Sequence, residues 1–357
     1  MKLEEHVPLA PLTTLRVGGE ARFFVAAESV EEVIEALDYT RVNALPLFVL
    51  GGGSNILISD KGFDGLVLSV RIPGISLEKL GDMVLVTAGA GVVWDDLVAY
   101  SIEHGLAGIE CLSGIPGTVG GAVVANLGAY GAQASDTFVS ADAIDTQDAQ
   151  HTLHVIRNEK CDFSYHDSMF SHTGGRYVVV RATFALSTAL PLKISYRDNR
   201  FDLAALAATS GKEPSQSDVR AAILQMREEK GVLSTSYQSA GSFFHMPFVS
   251  AEKYTEVTAL ARSLDAAKEE RLRPWAWKQP DGSYKIAAGF LLEYTEFQKG
   301  YTRGAAGVSP RHTLAIINVA GARAEDIAAL ARDMQNAVEK IFGIHLEREV
   351  EYVGDVE

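Results

Sequence analysis

LGGGSNILI, residues 50–58, decides the first question about the fold. A short apolar run, PLFVL (46–50), leads into three glycines, a serine and an asparagine, and β-type residues resume at once. The pattern is strand, glycine turn, strand. Consecutive glycines expose successive backbone N–H groups, which can form a concave nest for an anion. Ser54 and Asn55 add side-chain donors, a set suited to a pyrophosphate. The bland alternative is a tight β-hairpin. Two sharper alternatives fail. The G-x-G-x-x-G fingerprint needs a third glycine with a helix behind it, but Ile56 stands in that place and strand residues follow. A phosphate loop needs Gly-Lys-Ser/Thr, which is absent here. A doubly wound nicotinamide domain is therefore disfavoured.

Downstream, GIPGTVGGAVVANLGAYG (114–131) carries more glycine than turns require. Glycine takes positive φ and lets a ligand approach bare backbone, so this stretch could hold a flat aromatic group; the alternative is a structural crossover. Two such loops in one half of the chain favour a large phosphorylated cofactor. Strands are expected at 65–70, 83–92, 138–145, 151–157 and 177–186, and helices at 29–37, capped by Ser29, and 94–105. The second half changes character. Helices are expected at 215–231, 250–264 and 324–343, and LEREVEYV (346–353) alternates like a final strand. The composition shifts across AATSGKEPSQS (207–217 region), so a boundary is expected near residues 205–215. The class is α+β, a mixed-sheet binding region followed by a smaller α/β domain.

Length and composition set outer limits. A chain of 357 residues implies two or three domains. A formal net charge of −14 argues against a nucleic-acid partner, since such a chain repels phosphate backbones. It leaves room for a phosphorylated small molecule. Cys111 and Cys161 show no C-x-x-C spacing and cannot form a metal cluster alone, so no metal is expected. The first residues carry acids and lack an apolar signal-peptide core, and no apolar run reaches the roughly 18 residues of a membrane span. The expectation is a cytoplasmic protein with no membrane association and no obligatory protein partner.

Beyond these loops, TTLRVGG (13–19), SAGSFF (239–244), KIAAGFLLE (285–293) and LEREV (346–350) follow in order. With LGGGSN and GIPGTVGGAVVANLGAYG they make the chain resemble the UDP-N-acetylenolpyruvoylglucosamine reductases, also called UDP-N-acetylmuramate dehydrogenases, over nearly its whole length. The resemblance implies a two-subdomain FAD-binding fold of the vanillyl-alcohol-oxidase type plus a smaller C-terminal α/β domain that binds substrate. The implied limits are 1–72 and 73–210 for the FAD-binding subdomains and 211–357 for the UDP-sugar domain, with the last strand able to return to the FAD region. FAD and NADPH are the implied cofactors. Gly51, Gly52, Gly53, Ser54, Asn55, Gly117, Thr118, Gly120 and Gly121 are the implied FAD contacts.

The implied reaction reduces an enolpyruvyl ether. Hydride reaches the terminal vinyl carbon, negative charge spreads from the adjacent carbon into the carboxylate, and that carbon takes a proton. The protein must stabilise this charge and supply the proton. Ser242 matches the family's proton donor and Glu349 its catalytic glutamate. Glu347, Glu349 and Glu351 would share one strand face, roughly 7 Å apart; burial and a raised pKa would single out the functional one. His166, in CDFSYHDSMF (161–170), stands where the family has an arginine that polarises the substrate carboxylate. It lacks arginine's bidentate fork, and Arg197 is a residue that could compensate. Tyr196 and Lys230 match residues at the substrate diphosphate or NADPH, and Met246 stands where the family has an asparagine. The rivals are an FAD-dependent oxidase of the same fold and a non-catalytic FAD- or UDP-sugar-binding relative.

Overall fold

The computed structural model describes residues 1–208, 213–233 and 237–356, so the 210/211 domain limit lies outside the described residues. The first sheet has four strands in the order Leu3–Pro8, Glu20–Ala27, Phe63–Val70, Leu47–Leu50. The last two pairings are parallel, which requires a crossover. Helix Val30–Val42 provides it and buries Val33, Ala36 and Leu37. The Ser29 hydroxyl accepts the Glu32 N–H and caps this helix. The second sheet is antiparallel, ordered Leu153–Arg157, Phe138–Asp145, Tyr177–Leu186, Met83–Gly89, Ile75–Leu80.

The two sheets share one apolar core. Val25, Leu66 and Leu68 from the first meet Val86, Ala141, Val178 and Phe184 from the second, with Trp94 and Leu97 of helix Trp94–Glu103 among them. The glycine-rich 114–131 stretch is not all loop: Val119–Val124 forms a short helix capped by Thr118, whose side chain takes the Gly121 N–H. Helix Gln216–Lys230 opens on a Ser215–Asp218 capping box and closes at Gly231, whose φ of +66° is the left-handed conformation that glycine adopts without a Cβ penalty.

The C-terminal region has its own core, built on two small antiparallel sheets and helices Ala251–Arg271 and Ala324–Phe342. The second helix buries Ile327, Leu330, Ala331, Met334, Val338 and Phe342, the stripe its three-and-four spacing predicts. This core also takes in Leu15, Val17 and Leu57 from the first region.

The end of the chain corrects one expectation. The regular strand covers Glu351–Val353 rather than 346–353. It pairs in parallel with Ile56–Ile58, directly after the GGGSN turn. The stretch before it bonds instead to the Ser242 segment, through Glu349 N–H to Phe243 O at 3.0 Å and His245 N–H to Glu347 O at 2.9 Å. One run of residues thus joins two different partners and leaves the three glutamates without a common face: Glu347 and Glu351 are exposed, and Glu349 turns inward.

Leu57 is fully buried where the two cores meet. Leu57→Ala is expected to destabilise the protein by about 2–5 kcal/mol, read as a lower urea midpoint. A change below about 0.5 kcal/mol would show that the junction is not tightly packed.

Candidate active site

The two glycine loops touch through their backbones. A Cβ on Gly52 would sit 2.5 Å from the Gly117 Cα, and one on Gly51 would sit 3.2 Å from Thr118 Oγ1 and 3.7 Å from the Gly121 Cα. Gly53 has φ +62°, and its Cβ would meet Leu12 O at 2.1 Å, so that position excludes any side chain. Ser54 Oγ donates to Pro116 O at 3.2 Å. Among the described residues the N–H groups of Gly52, Gly53 and Ser54 have no protein acceptor. Unsatisfied N–H groups in a glycine cradle are the donor set a pyrophosphate needs, so these residues fit FAD. Gly120 differs from its neighbours: it is buried, and its Cβ would press on Ala90 at 3.0 Å, so it serves helix packing. Asn55 uses its side-chain amide to donate to Glu349 O at 3.0 Å.

His166 lies at the tip of a tight turn, with φ +54°, a region that non-glycine residues enter at a cost. Backbone bonds between Ser164 and Asp167 close the turn. Asn126 of the second glycine stretch donates to Ser164 O at 2.7 Å, and Ser168 Oγ donates to Val124 O at 2.6 Å. The turn is thereby aimed at the C-terminal segment. His166 Nδ1 lies 3.8 Å from Glu349 Oε1, and His245 Nδ1 lies 3.9 Å from Glu349 Oε2. Both separations exceed a hydrogen bond. The Tyr165 ring packs edge-on to His166, and Lys285 Nζ sits 3.3 Å from the Tyr165 centroid.

Burial governs the charges here. It pushes the Glu349 carboxyl up to about 8, against the opposing pull of Lys285. It pushes the His166 imidazole down to about 4, helped by His245 and Lys285. It also lowers His245, against Glu347 and Asp167, and lowers Lys285 to about 8, against Glu349. Burial thus favours the neutral forms of both Glu349 and His166 over an ion pair. Burial raises the Glu351 carboxyl as well, but of the three glutamates Glu349 alone is not exposed.

Ser242 follows Gly241, at φ +77°, and precedes the buried Phe243 and Phe244. Phe243 O accepts the Glu349 N–H, so Ser242 is one residue from the bond that fixes Glu349. Its hydroxyl has no hydrogen-bond partner among the described residues.

A second cluster gathers Tyr196 and Lys230. Lys230 Nζ donates to Tyr196 OH at 3.0 Å and to Asp198 Oδ2 at 2.6 Å, and Tyr196 OH donates to Asp198 at 2.7 Å. Burial works to raise the Asp198 carboxyl, but the Lys230 charge and hydrogen bond outweigh it and hold it below the usual range. Arg197 does not join His166. It is exposed, and its ion pair is with Asp202 at 3.7 Å.

Residues 21–153 match the family described as FAD binding domain, and residues 233–353 match the C-terminal domain of UDP-N-acetylenolpyruvoylglucosamine reductase. The UDP-N-acetylenolpyruvoylglucosamine reductase of Thermobifida fusca is 38% identical over 355 residues, covering 98% of this chain and 97% of that one. That of Pseudomonas aeruginosa is 36% identical, covering 98% of each. The chain belongs to the UDP-N-acetylenolpyruvoylglucosamine reductase family. The crystal structure of the Thermus caldophilus UDP-N-acetylenolpyruvylglucosamine reductase superposes with a TM-score of 0.67 at 24% identity, covering 99% of this chain and 100% of that one, and shows the same fold.

Within this reductase family, three residues of the site escaped the sequence reading. His245 stands three places after Ser242, Lys285 opens the KIAAGFLLE segment, and Asp198 ends Tyr196-Arg197-Asp198. Lys285 lies in a segment that carries the resemblance, but only the fold shows what each of the three faces. For a reductase of this family, Gly52→Ala is expected to force the two glycine loops apart. The purified variant should lose most of its bound yellow flavin while its far-ultraviolet circular dichroism is unchanged. Full flavin content would show that the loop contact does not shape the cofactor site.

Proposed function

We propose that the chain catalyses the NADPH-dependent reduction of UDP-N-acetylglucosamine enolpyruvate to UDP-N-acetylmuramate through FAD, a cytoplasmic step of peptidoglycan precursor synthesis. The observation that carries the reading is Glu349, turned inward and bonded through its backbone to both the first glycine loop and the Ser242 segment, where burial raises its carboxyl and favours the neutral acid. An enolate needs such a partner, because a neutral acid donates a hydrogen bond to developing negative charge where a carboxylate would repel it.

In this reading Gly52, Gly53 and Ser54 offer their free N–H groups to the FAD pyrophosphate, with Gly117, Thr118 and Gly121 alongside. FAD held there would supply the two-electron chemistry that connects NADPH to the terminal vinyl carbon. Glu349 donates a hydrogen bond to the enolate oxygen. Ser242, on the segment bonded to Glu349, gives its proton to the adjacent carbon. Tyr196 and Lys230, both mostly buried and joined through Asp198, hold the diphosphate of the sugar nucleotide. Binding there exchanges part of the Lys230–Asp198 interaction for one with phosphate. The working division is residues 1–210 for FAD and 211–357 for the substrate.

The test is NADPH oxidation by purified yellow protein, with and without the enolpyruvyl sugar nucleotide. Oxidation that requires the substrate is expected. Ser242→Ala should leave flavin reduction by NADPH unchanged and slow reoxidation by the substrate about 10²–10⁴-fold. Substrate-independent oxidation by oxygen, or full reoxidation in Ser242→Ala, would contradict the assignment.

A further inference from the structure

We propose that Lys285 is a catalytic residue that binds the carboxylate of the enolpyruvyl group and supplies the positive charge that His166 does not. The proposal deepens the reading above and rests on it for the identity of the substrate.

Four chain segments converge on one small volume. The 164–167 turn brings Tyr165 and His166. The Ser242 segment and the strand after it bring His245 and Phe248. The C-terminal segment brings Glu349, and strand Tyr284–Ile286 brings Lys285. The register pairs Lys285 with Phe248 on one side and Trp277 on the other, so the three side chains share one sheet face. Lys285 Nζ lies 3.3 Å from the Tyr165 ring centroid and 5.6 Å from that of Phe248. Ring faces attract an ammonium and fix its position.

What Lys285 lacks is an anion. Among the described residues no carboxylate comes within ion-pair distance of its Nζ, whereas the more deeply buried Lys230 has Asp198 at 2.6 Å. The carboxylate that bears on its charge is Glu349, beyond ion-pair distance, and burial favours the neutral form of that carboxyl. A half-buried ammonium without a counter-ion is costly to maintain, and burial accordingly lowers its pKa to about 8. An arriving carboxylate removes that penalty. The same arrangement explains why an imidazole is tolerated at position 166. His166 and His245 are both held neutral by burial and so act as neutral neighbours of Glu349. Arg197 is turned to solvent with Asp202. Lys285 is left as the cation facing the reacting groups. No bond to Lys285 forms or breaks; its charge stabilises the electron pair that moves into the carboxylate as hydride arrives.

The experiment uses full-length yellow holoprotein and the variant Lys285→Met, with Lys285→Gln as a second variant should the first lose flavin. Two probes are titrated by the change in flavin absorbance: UDP-N-acetylglucosamine enolpyruvate, and UDP-N-acetylglucosamine, which lacks the carboxylate. Removing the charge is expected to weaken the first by about 10–100-fold and leave the second within twofold. Reoxidation of the reduced flavin by the enolpyruvyl sugar should slow about 10²–10³-fold, and Lys285→Arg should recover most of it. Equal weakening of both probes, or wild-type affinity for the enolpyruvyl sugar in Lys285→Met, would overturn the proposal. Wild-type turnover tests the overall reading separately, since the comparison of the two probes needs no turnover.

Discussion

The site depends on where residues 346–353 lie. Asn55, last residue of the GGGSN turn, donates its side-chain amide to Glu349 O and accepts the Glu351 N–H at its own carbonyl. Around that pair of bonds the final strand lies parallel to Ile56–Ile58, and the preceding residues lie antiparallel to the Ser242 segment. A single stretch of about eight residues therefore sets the distance between the first glycine loop, the serine and the glutamate. Parallel pairing across nearly 300 residues of sequence cannot form locally. Leu15, Val17 and Leu57 are shared with the C-terminal core, so the packing that joins the two regions also holds the bonded segments of the site together.

Desolvation does the rest. A Glu349 side chain that is 19% exposed reaches the cleft but has lost most of its water. Two imidazoles flank it without bonding it, and both are neutral for the same reason it is. An arginine in place of His166 would be charged at any working pH and would favour the ionised carboxylate. With histidine there, the site contains a neutral acid and a separate ammonium on Lys285, two groups whose roles do not cancel. Glu349 and Lys285 influence each other's titration, so their proton losses belong to the pair.

Much of this was legible in the residues. Local signals are the legible ones: Ser29 as a cap, the helices at 215–231 and 324–343, and the glycine turn at 50–55. Each rests on contacts within a few residues. The features that were not legible depend on distant partners. LEREVEYV alternates as a strand does, but its first half bonds to residues 243–245 and its second half to 56–58, a division no periodicity encodes. Gly120 looked like its neighbours in GTVGG and instead packs on Ala90, because the short helix at Val119–Val124 turns it to the core. His245 and Lys285 are ordinary polar residues until strand pairing and the 164–167 turn place them around Glu349.

The most direct test of this account is the pH dependence of one step, reoxidation of NADPH-reduced flavin by the enolpyruvyl sugar nucleotide, followed by rapid mixing. Glu349 has a raised pKa, so its acid form is present below about 8 and is lost as pH rises through that value. The rate should therefore hold steady through pH 7 and fall on the alkaline side with a midpoint near 8, where the acid form of Glu349 and the charge of Lys285 are lost as a coupled pair. A rate that stays constant or rises from pH 7 to pH 9 would show that the carboxylate works in its ionised form, and would contradict a site organised around a neutral Glu349.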